Sequence, residues 1–463
     1  MHFKKLYRCG AQPQLRLRMS NISFYSQGLY GSVRCLLGAG LLVVASMAKA
    51  DTPLTLNDAV AISLQNDPWL QGSLYQQQAM LERSVALGAL PDPRFSVTLA
   101  NLPTNTADFN QEAMTQLKFG VTQLLPRGDT LSIKQARQEV AASKQSFLRD
   151  NRKAQVERDV SLLWLDAIKA DKTAALIESE LPWVEKVLDV ARSNYAFGIG
   201  AARQHDVVQA QMSVTQLQER LLRQQQSLSA ALAGITQWLY PAALPASERF
   251  VGHLPDSLPA LERPTPPETD AQRMDLLRQH PLLRAAGVDQ QVKAQDIALA
   301  REQYKPQWAV SAGYSYRDDA PNGPSRADLF SIGISFDLPL FASQKQDRNV
   351  AASIAESEAV KTEAVLLMNQ MQSAMHSEMR TLASLEKRHR LFERTLLAQA
   401  TSLAELTLNA YTLDDGEISA ALQARVTGMN TRIAALDIAV ERLKSIVRLN
   451  YLLTQSGAER VGE

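Results

Sequence analysis

Trp308-Ala309-Val310-Ser311-Ala312-Gly313-Tyr314-Ser315-Tyr316 alternates large and small side chains, and Phe330-Ser331-Ile332-Gly333-Ile334-Ser335-Phe336 does the same. Between them stands Asp318-Asp319-Ala320-Pro321-Asn322-Gly323-Pro324, a run of turn formers. Period-two alternation around such a turn predicts a β-hairpin, placed at about 307–338. Each segment is about 9–11 residues long, the length at which a tilted strand crosses a bilayer. One face is apolar with aromatics toward its ends, and the other is small and polar. Membrane-barrel strands have this pattern, with lipid on one side and water on the other. A soluble sandwich, or a small sheet packed on helices, would show the same alternation in any single segment.

A second hairpin stands upstream, at about 94–124. Phe95, Val97 and Leu99 alternate with Ser96 and Thr98, and Leu117, Phe119 and Val121 alternate with Gln116, Lys118 and Thr122. The two hairpins are related by one offset. Asn66-Asp67-Pro68-Trp69-Leu70 resembles Gln279-His280-Pro281-Leu282-Leu283, and the prolines are 213 positions apart (281 − 68). The same interval relates Pro93-Arg94-Phe95 to Pro306-Gln307-Trp308, Gly120 to Gly333, and Leu125-Pro126 to Leu338-Pro339. A constant offset without a gap indicates internal duplication. Repeat 1 is assigned to 51–239 and repeat 2 to 269–456, with a tail at 457–463. The linker at 240–268 contains Pro241, Pro245, Pro255, Pro259, Pro264, Pro266 and Pro267, a density that no helix tolerates.

Long helices follow each hairpin. Leu131 to Phe197 holds no glycine and only Pro182, and Ala342 to Asp415 holds neither residue. Sixty-odd helical residues reach on the order of 100 Å, too long for one globular core. Val156, Val160, Leu163, Ala167, Ala170, Ala174 and Ile177 step by fours and threes. So do Val207, Ala210, Val214, Leu217, Leu221, Gln224, Leu228, Ala231 and Ile235, with Gln224 a polar interruption. Leu422, Val426, Met429, Ile433, Leu436, Val440, Leu443 and Val447 keep the step unbroken. Such stripes make coiled-coil seams. Breaks at Gly198-Ile199-Gly200 and Asp414-Asp415-Gly416 fold each helical stretch into an antiparallel pair, at about 131–238 and 342–455.

The chain is predicted to be exported. Lys4, Lys5, Arg8, Arg16, Arg18 and Arg34 precede an apolar run from Cys35 to Met47, and Ala48-Lys49-Ala50 fits a cleavage site, so 1–50 reads as a signal peptide. A start at Met19 would shorten the basic region. As a membrane anchor the apolar run would be too short. Cys9 and Cys35 both precede the cleavage point, so the mature chain would hold no thiol or disulfide. A net charge of +1 gives no basic surface for nucleic acid. Aromatics at 6% with abundant Ala, Leu and Gln favour long helices over an all-β body.

Four strands cannot close a barrel, and an open sheet in lipid would leave edge N–H and C=O groups unpaired. The chain is therefore expected to oligomerise. Three copies would supply twelve strands, and two would supply eight, too narrow for a wide pore.

These residues resemble the TolC-type outer-membrane efflux channels, over about Leu54 to Leu453. The resemblance rests on Leu54-Thr55-Leu56-Asn57-Asp58-Ala59-Val60 and on Asn66-x-Pro68-x-Leu70 with its echo at Pro281. It also rests on Tyr195-x-x-Gly198 followed by Asp206-Val207-Val208-Gln209-Ala210-Gln211, and on Tyr411, Gly416 and Leu422-Gln423-Ala424-Arg425. It implies a mainly α protein with a transmembrane β-barrel: a homotrimer sharing twelve strands in outer-membrane lipid, and an α-helical coiled-coil tunnel crossing the periplasm. It implies docking to a periplasmic adaptor protein and an inner-membrane pump, with the channel itself passive. Leu90-Pro91-Asp92-Pro93, Asn101-Leu102-Pro103 and the run from Met114 to Pro126 look most like the heavy-metal efflux branch. Two features depart from relatives. Asp51 follows Ala50 where many carry a lipidated cysteine, so no lipid anchor is expected. Ala420 and Gln423 stand where some relatives ring the mouth with aspartates.

The acids here cluster earlier, at Asp414, Asp415 and Glu417, and three copies would form a negative ring favouring cations. Asp206 is expected to pair across the tip with a basic residue or with the Tyr411 hydroxyl, and Tyr195 joins these as a gate candidate. Ordinary capping acids on a solvated turn are the plainer reading. Met368, Met371, Met375 and Met379 beside His376 could hold soft Cu(I), but a methionine stripe is more often packing. His2, His205, His253, His280, His376 and His389 show no zinc spacing, and no nucleophile elbow is present, so neither a cofactor, a metal nor an enzyme is expected. A periplasmic helical adaptor without a barrel is the alternative; a secreted enzyme would need a polar site.

Overall fold

The computed structural model describes residues 55–197, 204–239, 257–321, 323–412 and 417–457. Helices α1 (Leu56–Asn66) and α2 (Pro68–Gly88) precede strands β1 (Arg94–Ala100) and β2 (Gln116–Leu125). Then come α3 (Thr130–Phe197) and α4 (Gln204–Leu239). The second half runs α5 (Asp270–Arg278), α6 (Pro281–Glu302), β3 (Trp308–Tyr316), β4 (Leu329–Phe336), α7 (Gln346–Leu391), α8 (Leu397–Thr412) and α9 (Ile418–Leu452). The expected signal peptide at 1–50 and both expected helix-pair turns, Gly198-Ile199-Gly200 and Asp414-Asp415-Gly416, lie outside the described residues.

Each half begins with the same local chemistry. Thr55 and Asp58 close a reciprocal capping box on α1. Asp67 then caps α2 by accepting from the Trp69 N–H at 3.0 Å, with Pro68 as the first helical residue. His280 caps α6 in the same way, its Nδ1 accepting from the Leu282 N–H at 3.2 Å ahead of Pro281. Both caps reach across the fold. Arg152 of α3 places Nε 2.7 Å from Asp67 and lays its guanidinium over the Trp69 and Trp238 rings. Nε2 of His280 donates to the Tyr451 carbonyl of α9 at 3.2 Å, which sets the tautomer as Nε2–H.

Three clusters hold the helices together. Val156, Val160, Trp164 and Ile168 of α3 meet Leu56 of α1 and Ala231, Ile235 and Leu239 of α4. Leu165 meets Met371 and Met375 of α7 and Val440, Leu443 and Val447 of α9. Nearer the helix-pair ends, Ile177, Val184 and Leu188 of α3 meet Val214 and Leu217 of α4 and Leu422, Met429 and Ile433 of α9. The predicted heptad positions supply most of these residues. Gln224, the polar interruption, lines a cavity of about 570 Å³ among α3, α4 and α9, beside Lys169, Arg220 and Asp437. Met371 and Met375 are core residues, and Met368 and Met379 pack against the same cluster, so the methionine stripe is packing.

Two details differ from the sequence reading. The strands are 7, 10, 9 and 8 residues long, so two are shorter than the predicted span. A π-helical turn at Phe392–Leu396 joins α7 to α8, where the sequence carries no glycine or proline to announce it. In the proline-rich linker Leu258 and Leu261 pack against two of the clusters. Helix α3 meanwhile continues through Pro182.

Burial pushes the His280 imidazole down to about 4, against the weaker opposing pull of its bond to the Tyr451 carbonyl. Between an ordinary 6.5 and about 4 the unfolded chain takes up a proton that the folded chain refuses. Stability should therefore fall as pH drops through that window, by roughly 3 kcal/mol at most. His280→Asn keeps a capping oxygen and removes the titration. Its helical melting followed by circular dichroism should depend less on pH between 7 and 5 than that of the unaltered protein.

Candidate functional site

Two regions could carry function, the sheet and the far end of the helix pairs. The four strands form one antiparallel sheet in the order β1-β2-β3-β4. Its register places like with like. Phe95 lies beside Val121, Val121 beside Ala312 and Ala312 beside Ile332. Two residues on, Val97, Phe119, Tyr314 and Phe330 form the next apolar row. Leu125, Trp308 and Phe336 close one end, where the Trp308 and Phe336 rings lie 4.7 Å apart. Leu99, Leu117 and Tyr316 close the other, with Tyr316 stacked on Phe109.

All these side chains share one face, because strand residues two apart point the same way. That face is bare: Phe95 is 81% exposed, Ile332 70% and Phe330 69%. Monomeric soluble proteins rarely expose a continuous apolar surface of this extent. The opposite face carries rows of serine, threonine and glycine, such as Ser96, Gly120, Gly313 and Ser331. Gly120, Gly313 and Gly333 each face a serine hydroxyl that an added Cβ would meet at 2.7–2.9 Å. Small residues thus let the sheet bend toward its polar side. β1 and β4 are its two edges.

Loops and junctions brace the sheet. Arg326 Nη1 donates to the Asn110, Glu112 and Asp318 carbonyls, tying the two hairpin loops together. At the opposite end Arg127 donates to the Gln303 and Lys305 carbonyls and pairs with Asp337, which accepts from the Gln307 N–H. The chain turns at Gly128 with φ +40°, against Glu302 and Lys305, where a side chain would collide. Periodicity did not single out Arg127 or Arg326; nothing local marks an arginine that serves distant carbonyls.

At the far end, Tyr195 is half exposed in the last turn of α3 and Asp206 lies in the first turn of α4. Asp206 Oδ1 is 3.2 Å from His205 Nε2 on its own helix. Tyr411 sits in the last turn of α8, and Glu417 precedes α9 without a side-chain capping bond, accepting instead from the Ser419 hydroxyl at 3.2 Å. Asp414 and Asp415 lie outside the described residues. The third cluster includes Ala210 of α4 and Leu422 of α9, so it brings the Asp206 and Glu417 ends of the two pairs to one end of the bundle.

Between that end and the core stands a feature the sequence did not reveal. Glu180 of α3, 3% exposed, receives Arg425 Nε at 2.6 Å and Arg432 Nη2 at 3.0 Å from α9. Arg425 also covers the Trp183 ring. Among the described residues no group of three or more His, Cys, Asp or Glu could hold a metal ion. Among them no helix is long and apolar enough to cross a membrane.

No protein-family profile matches the chain, and no curated protein matches it. Solved structures do. A membrane protein from Pseudomonas aeruginosa superimposes with a TM-score of 0.72 at 16% identity, covering 87% of this chain and 90% of that one. The Campylobacter jejuni CmeC outer membrane channel gives a TM-score of 0.70 at 12% identity, over 96% of this chain and 95% of that one. This chain shares its fold. The Vibrio cholerae outer membrane protein VceC gives 0.69 at 15% identity, over 87% and 96%. At these identities the likeness is one of fold.

Removing one partner of a buried, charge-paired group leaves the others uncompensated. Glu180→Ala should destabilise the α3–α9 packing by about 3 kcal/mol, seen as faster limited proteolysis between Pro182 and Phe197. Arg432→Lys, which keeps a cation near one carboxylate oxygen, should cost less.

Proposed function

We propose that this protein is a member of the TolC-type channels and the passive outer-membrane exit duct of a tripartite efflux system. One observation carries the reading: four strands in register expose a continuous apolar face on one side and a small polar face on the other. In water that face has no partner, whereas in hydrocarbon it has one. The unpaired edges of β1 and β4 call for further copies, because backbone groups in lipid must be paired. Three copies give twelve strands, and the two hairpins with their helix pairs are the duplicated units of one ancestral repeat. The helices then form a tunnel through the periplasm, meeting an adaptor and an inner-membrane pump at the Asp206–Glu417 end. The protein performs no catalysis of its own. A barrel-free adaptor would have no use for the exposed face.

Face parity tests the barrel. Ile332→Lys puts a charge into the apolar rows, at a cost of about 2–4 kcal/mol near mid-membrane. It should abolish heat-modifiable trimers in the outer-membrane fraction. Ser335→Lys, on the other face, should leave them intact. Equal tolerance of both would remove the barrel reading.

The tip acids form the entry ring in this proposal. Neutralising Asp414, Asp415 and Glu417 together should lower cation preference in planar bilayers; unchanged selectivity would remove their role. The likeness of the motifs between Leu90 and Pro126 to the heavy-metal branch supports heavy-metal export, and metal sensitivity of a deletion strain checks it.

A further inference from the structure

We infer that the interior of the barrel is a transit site for solutes bearing an anionic group, built around Lys118 and Arg94. The inference rests on the duct reading and names the chemistry of its exit compartment. β1 to β4 contain two charged residues, Arg94 and Lys118, and no carboxylate. The register places both on the small polar face. Lys118 lies between Thr98 and Ser315, and Arg94 stands beside Thr122, which neighbours Ser311. Each cation thus sits in a row of hydroxyl side chains, which donate hydrogen bonds to oxyanions.

Both cations are exposed, and among the described residues neither has an ion-pair partner. The acids flanking the sheet are mostly engaged. At the loop end Asp328 accepts from the Tyr314 hydroxyl and the Arg317 N–H, and Asp319 accepts from the Arg326 N–H. At the other end Asp337 holds Arg127 and the Gln307 N–H. Asp92, two residues before Arg94, is exposed and is the nearest acid in sequence to either cation.

Geometry brings the two tiers close to any solute. They are four residues apart on the sheet, or about 14 Å along a strand. A twelve-stranded barrel with strands about 4.8 Å apart and tilted about 40° has a backbone radius of about 12 Å. Lysine and arginine reach roughly half that distance inward, so three copies of each put positive charge within about one Debye length of the axis at physiological salt. Rings of this sign favour anions.

The test uses the full-length protein in planar bilayers at low salt, with inositol hexakisphosphate added on the side of the hairpin loops. The unaltered channel should be blocked. Lys118→Gln should raise the half-blocking concentration about tenfold, Arg94→Gln should add to it, and Lys118→Arg should restore the block. Block that is absent, or equal in the unaltered channel and the double variant, would overturn the barrel site while leaving the duct standing. Reconstituted protein that never conducts would overturn the duct reading, and this inference with it.

Discussion

A backbone amide in hydrocarbon has nothing to bond to except another backbone, and the duct proposed above follows from that demand. The hairpins satisfy it internally, strand by strand, but the sheet ends at β1 and β4 with rows of groups facing outward. No rearrangement within one chain closes four strands. In the proposed barrel that demand passes to other copies, and assembly becomes a property of the edges. The helices face no such pressure, since each pairs its own backbone. What they need is cover for their apolar stripes, and they find it lengthwise in three successive clusters.

The two ends of the molecule use different means to stay in place. The sheet is braced by arginines on carbonyls, Arg326 at the loops and Arg127 at the junction, where charge-assisted bonds hold irregular backbone that has no ladder of its own. The helical end is braced by packing, with Glu180 clamped between Arg425 and Arg432 where α3 meets α9. A buried ion pair of this kind contributes little net stability, but its loss is costly, so it specifies which faces of two long helices meet. Coiled-coil stripes alone leave that choice open to sliding by a heptad. The paired caps at Asp67 and His280 fix a second point of register, since each cap is also a contact with the opposite helix.

Charge is distributed along the same axis. The strands carry only cations on their polar face, whereas acids gather in the loops and at the helix-pair end. On the sheet this follows from the pleat. In the proposed barrel a cation pointing into lipid would cost kilocalories, and the two that the strands contain lie on the opposite, polar face.

Much of this was legible in the primary structure. Trp308 to Tyr316 announces its strand because alternation is a local property of the chain, and the heptad stripes announce their buried faces for the same reason. The constant interval between Pro68 and Pro281 pairs two positions that both open helices. Other features were not legible. Nothing near Glu180 marks it as buried between two arginines some 245 and 252 positions away. No residue in Phe392–Leu396 forecasts a π-turn. Methionine spacing was ambiguous until the position of α7 showed Met375 in the core. Periodicity and capping are written by neighbours in sequence, so the chain alone determined the elements and their faces. Which elements touch, which charges are clamped and which strands lie side by side depend on contacts between distant residues. Those were decided only when burial and backbone pairing selected one packing of the long helices and one register of the four strands.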